Sequence, residues 1–202
     1  MKRICSVVLI ALGLCIIVYP QVRDMYYDKK EAGILDAWQR VSFELEQEQP
    51  DGEPVSENVW DTIKPEDIDG ILEIERISLR EPIFKKLTES NLYLGVAKIE
   101  EDTEAGAVGC YSVAGHRNRT YGRHFNRLAE LGKGDSIKIV TVENTYTYEV
   151  YEVLIVKAED SWVIQGNGED SLITLVTCDY STKPTARLVV RGKLLPAQEG
   201  SE

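Results

Sequence analysis

The hydrophobic pattern changes its period along the chain and divides it into three parts. Residues 4–19 form an uncharged and almost wholly apolar run. Residues 23–49 repeat apolar side chains at spacings of three and four, which is typical of one face of a helix. From Gly70 onward, short β-branched runs alternate with turn residues, as in β-strands. The pattern therefore predicts an apolar segment, an amphipathic helix and a mainly β domain.

The apolar run has the properties of a membrane anchor. A helix over residues 4–19 would be roughly 24 Å long, and extension to Val22 brings it close to the roughly 30 Å of a hydrocarbon core. No small-x-small cleavage site follows the run, which favours an uncleaved anchor over a cleaved signal peptide. Because Lys2 and Arg3 precede it, we expect a single-pass protein with its N-terminus inside and the rest outside the cell membrane.

The apolar positions of the amphipathic helix form one stripe: Ile34, Leu35, Trp38, Val41 and Leu45. This stripe would belong to a free stalk or would pack on the chain's own domain, and packing is favoured because it buries the apolar face. The acidic residues 50–69, which contain Pro and Gly, end the helix and are predicted to form a connector.

Strand candidates in the β region are the segments 71–76, 108–115, 136–142, 145–156, 172–178 and 186–195. Short helical or irregular pieces are predicted at 88–95 and 124–131. Many short strands separated by turns favour a barrel or a sandwich. We therefore predict an anchor at 1–22, a helix with an acidic linker at 23–69, a β domain at 70–196 and a tail at 197–202.

Composition limits the functions that such a chain can have. The formal net charge of −11 argues against nucleic-acid binding, which needs a basic face to neutralise phosphates. Of the four cysteines, only Cys110 and Cys178 lie outside the apolar N-terminus, and no C-x-x-C pair accompanies the two histidines. Neither a disulfide framework nor a cysteine-based zinc site is expected, so we predict no metal and no cofactor.

The strongest chemical signal is the β-branched run that ends on Cys178. A short polar loop and a second β-branched run with Arg187 follow it. If the two strands are antiparallel, the thiol and the guanidinium face each other across the ladder. Arg191 shares that face and is the rival for the same role.

A nucleophilic thiol also needs a base. A thiol with an ordinary pKa near 8.5 is only a few per cent ionised at pH 7. His116 ends a strand-like run behind a glycine, and the cysteine and arginine elsewhere in the domain favour catalysis over the more common solvated histidine. By contrast, His124 is expected to be structural or solvent-facing, and Cys110 to be a small buried residue.

The segments 114–117 (Ala-Gly-His-Arg) and 174–178 (Thr-Leu-Val-Thr-Cys), together with Arg187 before Leu-Val-Val-Arg, resemble the signature of sortases. Sortases are membrane-anchored cysteine transpeptidases of Gram-positive bacteria. The resemblance covers Gly70 to about Leu195. It implies a closed β-barrel of about eight strands with short helices. The histidine segment looks most like class D, and the short loop after the cysteine makes class B the runner-up.

The resemblance also implies roles for particular residues. Cys178 would be the nucleophile, His116 the acid or base, and Arg187 the group that holds substrate and stabilises the oxyanion. Thr177 and Ala114 are candidate substrate contacts, although strand packing is the favoured role of Thr177.

The partners implied are surface proteins with a C-terminal LPxTG-like sorting signal. The acceptor would be an amine of peptidoglycan or of its lipid-linked precursor. The acidic residues 100–104 are similar to the calcium loops of some family members, but a solvated loop is favoured.

Two other functions fit the same residues. One is an exported cysteine peptidase that only hydrolyses its substrate. The other is a non-catalytic, anchored β-barrel binding module in which Cys178 is merely buried. A thioester intermediate would exclude the binding module, and transfer to an added amine would exclude the peptidase.

Overall fold

The computed structural model describes residues 2–47, 67–118, 120–181 and 185–196, with the side chains of residues 9–38 in the first helix. The side chains of the stripe positions Val41 and Leu45, most of the predicted connector and the tail at 197–202 lie outside this description. The described residues contain two α-helices, α1 (Lys2–Gln47) and α2 (Glu89–Leu92). The strands are β1 (Ile68–Ile74), β2 (Leu79–Phe84), β3 (Val96–Lys98), β4 (Gly109–Ala114), β5 (Ser136–Val140), β6 (Thr145–Val156), β7 (Ser171–Asp179) and β8 (Ala186–Leu194).

The eight strands form a closed barrel in the order β1-β2-β3-β4-β7-β8-β6-β5. The prediction of a mainly β, closed barrel with short helices is therefore confirmed. Two neighbouring pairs, β2–β3 and β4–β7, are parallel, and the other pairs are antiparallel. Strand β5 shows the alternation of side chains between the inside and the outside of the barrel, because it buries Ile137 and Ile139 and exposes Ser136 and Lys138.

The barrel interior is filled by large apolar side chains from every strand. Tyr111, Tyr148 and Phe125 are among the largest that are fully buried. Phe125 and Leu128 belong to a 3₁₀ segment, Phe125–Glu130, that packs on this core. The segment after His116 is thereby tied to the barrel.

Helix α1 runs without a break for 46 residues and includes Pro20. Its side chains from Leu9 to Tyr19 are almost all exposed. Within the described part of the chain, it is the one helix that is long and apolar enough to cross a membrane. Further along, Ile34 and Trp38 are buried against Phe84 and its neighbours on the outside of the barrel. The described side chains of the stripe thus pack on the chain's own domain, as predicted.

Candidate active site

Strands β7 and β8 place a thiol directly opposite a guanidinium. In their antiparallel register, Cys178 is paired with Arg187. The Arg187 Nη1 lies 3.7 Å from Cys178 Sγ and 3.3 Å from the carbonyl oxygen of Ala186. Both side chains are half-buried, so each can contact a solute. The sequence prediction that a hairpin brings these groups together is confirmed.

The parallel pairing of β4 with β7 brings the histidine to the same place. Ala114 is paired with Val176, and the Gly115 N–H donates to the Val176 carbonyl at 3.1 Å. His116 follows Ala114 by two positions, and Cys178 follows Val176 by two positions. Because parallel strands advance together, continuing this register past the end of β4 brings His116 level with Cys178. The thiol is thus flanked by the histidine segment and by the arginine.

Close packing fixes the backbone in front of the histidine. The Thr177 hydroxyl donates to the Gly115 carbonyl at 2.8 Å. A Cβ on Gly115 would lie 2.6 Å from a ring carbon of Phe125, so only glycine fits there. On the other side, the Phe125 N–H donates to the His116 carbonyl at 3.0 Å. His116 is therefore presented by a backbone that is held from both sides.

The imidazole of His116 is half-buried beneath an aromatic side chain. Its ring centroid lies 5.6 Å from that of Tyr93, which follows α2. The pKa of His116 is lowered from 6.5, first by burial and then by the neighbouring His124, against a weaker opposite effect of Glu89. The neutral imidazole, which accepts a proton, is consequently favoured.

A partly buried ion pair joins the residues that follow the histidine and the cysteine. Arg117 Nη1 donates to Asp179 Oδ1 at 2.6 Å, and the Ser181 hydroxyl donates to the same carboxylate. The hydrogen bond from Ser181, and then that from Arg117, holds the pKa of Asp179 below its usual value. This pair links the end of β7 to the loop after β4.

The remaining residues singled out in the sequence lie in other surroundings. Arg191 Nη1 is 3.6 Å from Glu152 Oε2, and its guanidinium lies over the rings of Tyr151 and Trp162. Cys110 is buried, which raises its pKa, and its Sγ is 3.2 Å from the Thr174 hydroxyl. These contacts give both residues structural roles.

His124 is fully buried, so of the two expectations for it the structural one fits. Its backbone N–H donates to Glu81 Oε1 at 2.6 Å, and its Nδ1 lies 2.9 Å from the same oxygen. Glu81 is also buried.

Sequence reasoning missed the aromatic cover of the histidine. Tyr93 stacks on Tyr27 of α1, with ring centroids 5.5 Å apart, and Arg23 lies 5.9 Å above the Tyr93 ring. The ion pair of Arg117 with Asp179 was missed as well. Both sets of contacts join distant parts of the chain, so neither leaves a local pattern in the sequence. Only the position of Asp179 directly after the cysteine could have drawn attention to it.

Comparison with known proteins places this site in a family. A model of the sortase domain matches residues 72–195. Sortase A of Bacillus anthracis is 32% identical over 96% of both chains. Sortase D of Bacillus subtilis is 29% identical over 65% of this chain and 67% of its own length.

Solved structures agree with the sequence comparisons. A Clostridium perfringens sortase D5 transpeptidase superposes with a TM-score of 0.66 at 26% identity, covering 83% of this chain and 99% of the other. Listeria monocytogenes sortase A gives a TM-score of 0.60 at 31% identity, with 64% of this chain and 88% of the other covered. The chain therefore belongs to the sortase family and is a cysteine transpeptidase.

Proposed function

We propose that this sortase is membrane-anchored, cleaves an LPxTG-like sorting signal and transfers the surface protein to an amine of the cell wall. The observation that carries the proposal is the placement of Cys178 between the His116 segment and Arg187 on three neighbouring strands. A nucleophile, a proton carrier and a cation are the groups that acyl transfer through a thioester needs.

In the first half-reaction, the Cys178 sulfur attacks the threonine carbonyl carbon of the signal, and the thiol proton passes to His116. The lowered pKa of His116 favours the neutral form that takes up this proton. The carbon–nitrogen bond then breaks, and His116 returns the proton to the departing amine. The product is a thioester between the signal and Cys178.

In the second half-reaction, an amine of peptidoglycan or of its lipid-linked precursor attacks the thioester carbonyl. A new amide bond forms, the Cys178 thiolate leaves, and the proton lost by the amine restores the thiol through His116. Arg187 donates to the oxyanion of both tetrahedral intermediates, and one such donor contributes roughly 3 to 4 kcal/mol in comparable sites.

The two candidate substrate contacts have different surroundings. The Thr177 side chain is buried and its hydroxyl is engaged with the Gly115 carbonyl, so we assign it to holding the strand end. Ala114 is half-exposed at the end of β4, and we propose that it contacts the bound signal.

The anchor and the subclass belong to the same proposal. We infer that residues 1–22 anchor the chain with its N-terminus inside, so that the barrel acts on the outer side of the cell membrane. The match to a sortase D5 structure over nearly that whole chain supports class D, with class B as the runner-up from the sequence, whereas the match to Bacillus anthracis sortase A over 96% of both chains favours class A.

The test is intact-mass analysis of the full-length chain with an LPxTG-type peptide, with and without an amine acceptor. We expect a thioester adduct on the wild type, none on Cys178→Ala, and a transpeptidation product when the amine is present. Absence of the adduct, or its persistence in Cys178→Ala, would contradict the proposal. Products of water attack alone would favour the peptidase.

A further inference from the structure

A second cluster of chemically active side chains lies where α1 meets the barrel. It consists of Glu31 on α1, Glu81 on β2 and His124, which precedes the 3₁₀ segment. One ligand atom of each residue lies within 4.8 Å of the others, and within the described ranges this is the one group of histidine, cysteine and acidic side chains with such spacing. The reaction proposed above uses none of the three.

The cluster has polar atoms that the protein leaves unsatisfied. The side chains of His124 and Glu81 are only 1% and 4% exposed. Glu81 Oε1 accepts the His124 backbone N–H and lies beside Nδ1, but Glu81 Oε2 and His124 Nε2 have no hydrogen-bond partner. Buried polar atoms are normally satisfied, so two orphans in one pair point to a missing ligand.

The charged side chains around the cluster indicate whether its ligand is a cation or an anion. One cleft of about 360 Å³ is lined by Asp28, Glu31, Glu81 and Arg123. The guanidinium of Arg123 contacts two acids at once. It lies 3.4 Å from a carboxylate oxygen of Asp28 and 3.4 Å from one of Asp24. Arg23 also contacts Asp24, and Arg80, which lines the same cleft, contacts Glu73. Five carboxylates therefore stand against three guanidiniums, and burial makes uncompensated charge costly. A cation would correct this excess.

We propose that Glu31, Glu81 and His124 bind a divalent transition-metal ion of the Zn²⁺ type. Two carboxylate oxygens and one imidazole nitrogen are ligands that Zn²⁺ accepts, whereas Ca²⁺ and Mg²⁺ prefer oxygen alone. Three protein ligands leave one tetrahedral position for water, and the cleft gives access from solvent. No sequence motif marks this site, because its ligands are far apart in the chain and include no cysteine.

The ion would connect three parts of the fold. Ligand atoms around tetrahedral Zn²⁺ lie roughly 3.4 Å apart, which is compatible with the present spacing, so binding would hold α1 against β2. His124 is bridged to Arg117, and the next residue, Phe125, donates to the His116 carbonyl. The metal would therefore fasten the helix to the segment that presents His116.

The test uses the full-length chain in detergent micelles, carrying Cys178→Ala so that the active-site thiol binds no metal. After chelator treatment and dialysis, Zn²⁺ is titrated by calorimetry, and Co²⁺ is added to a second sample for absorption spectroscopy. We expect one Zn²⁺ per chain and visible Co²⁺ bands of a four-coordinate site. Millimolar Ca²⁺ or Mg²⁺ should not displace the Zn²⁺.

Variants assign the ligands. Glu31→Gln and His124→Gln should each weaken Zn²⁺ binding at least tenfold, whereas Glu143→Gln, an exposed acid in a turn, should leave it unchanged. The proposal would be overturned if the parent chain bound no Zn²⁺, if both ligand variants bound Zn²⁺ as tightly as the parent chain, or if Ca²⁺ displaced the Zn²⁺. Should His124→Gln fail to fold, Glu31→Gln and the Co²⁺ spectrum of the parent chain still decide it.

Discussion

At the scale of single residues, strand register separates two arginines that the sequence makes look alike. Arg187 and Arg191 lie on one strand at even spacing and so share a face. Arg187 is paired with Cys178, while Arg191 is paired with Thr174 and lies against Glu152. Only the first guanidinium can reach an oxyanion formed at the thiol.

We therefore predict that Arg187→Ala lowers kcat/KM for an LPxTG-type peptide by roughly 10²- to 10³-fold, as expected for loss of one oxyanion donor. Arg191→Ala is the matched control and should lower it by less than tenfold, because it removes only packing and a partly exposed ion pair. The measurement is steady-state kinetics on chains with equal melting temperatures. A larger loss of kcat/KM in Arg191→Ala than in Arg187→Ala would assign the oxyanion contact to Arg191.

The aromatic cover of His116 has a consequence for pH dependence. Burial disfavours imidazolium and lowers the pKa of His116, so removing the cover should raise that pKa toward 6.5. We predict that Tyr93→Ala raises it, and that the acid limb of the kcat/KM profile moves to higher pH with it. The limb arises because protonated His116 cannot take up the thiol proton.

NMR titration of the two imidazoles measures this directly, and His116→Asn assigns the signals. Tyr121→Ala, which truncates a tyrosine that is 74% exposed, should leave the titration of His116 unchanged. A lower pKa in Tyr93→Ala would show that Tyr93 does not shield the ring.

At the scale of elements, the sequence predicted what local patterning encodes and missed what distant contacts create. Strand β6 was predictable because a twelve-residue segment rich in β-branched and aromatic residues follows a turn, and the facing of Cys178 and Arg187 followed from one short hairpin. Strand β3 has only three residues, too few to show a period. The neighbouring positions of His116 and Cys178 depend on the parallel pairing of β4 with β7, which no local pattern contains.

The docking of α1 was also predictable, because its stripe is a local pattern. Ile34 is fully buried, and Ile→Ala costs roughly 2 to 5 kcal/mol in cores. Since alanine favours helix, any loss in Ile34→Ala comes from packing. We predict that the backbone amides of residues 27–38 exchange hydrogen at least about thirtyfold faster in Ile34→Ala than in the wild type, whereas the exchange rates of the strands are unchanged.

Asp36→Ala is the matched control for this prediction, because Asp36 is exposed on the same helix. It should leave the exchange rates as they are. Equal rates in the Ile34→Ala chain and the wild type would mean that the stripe does not hold the helix on the barrel.

At the scale of the whole molecule, α1 orients the barrel relative to its apolar segment. Asp24 follows Val22 by two residues, a rise of about 3 Å, and already contacts Thr120 and Arg123 near the active site. Trp38, about 16 Å beyond Tyr27, packs in the cluster that Val140 joins. The helix thus passes the active-site end of the barrel first.

Strand β6 separates the two ends. Its last residue, Val156, is paired with Arg187, and its first, Thr145, with Val140. The turn at Asn144 is therefore up to roughly 36 Å from the thiol along the strand. If residues up to Val22 lie in the bilayer, the thiol opens toward the headgroups, where a lipid-linked amine would be available.

We predict that a fluorophore on Tyr121→Cys transfers energy strongly to acceptor-labelled lipid headgroups in nanodiscs, and that one on Asn144→Cys does so weakly. Both positions are exposed, and the parent chain for labelling carries replacements of Cys5, Cys15 and Cys178, which leaves only the buried Cys110. Because transfer falls steeply with distance, labels in the loop after His116 and at the opposite end of β6 should be clearly distinguished. Equal transfer would mean that the barrel tumbles freely about the anchor. Stronger transfer from Asn144→Cys would mean that the active site faces away from the membrane, and it would favour an acceptor amine in the assembled wall.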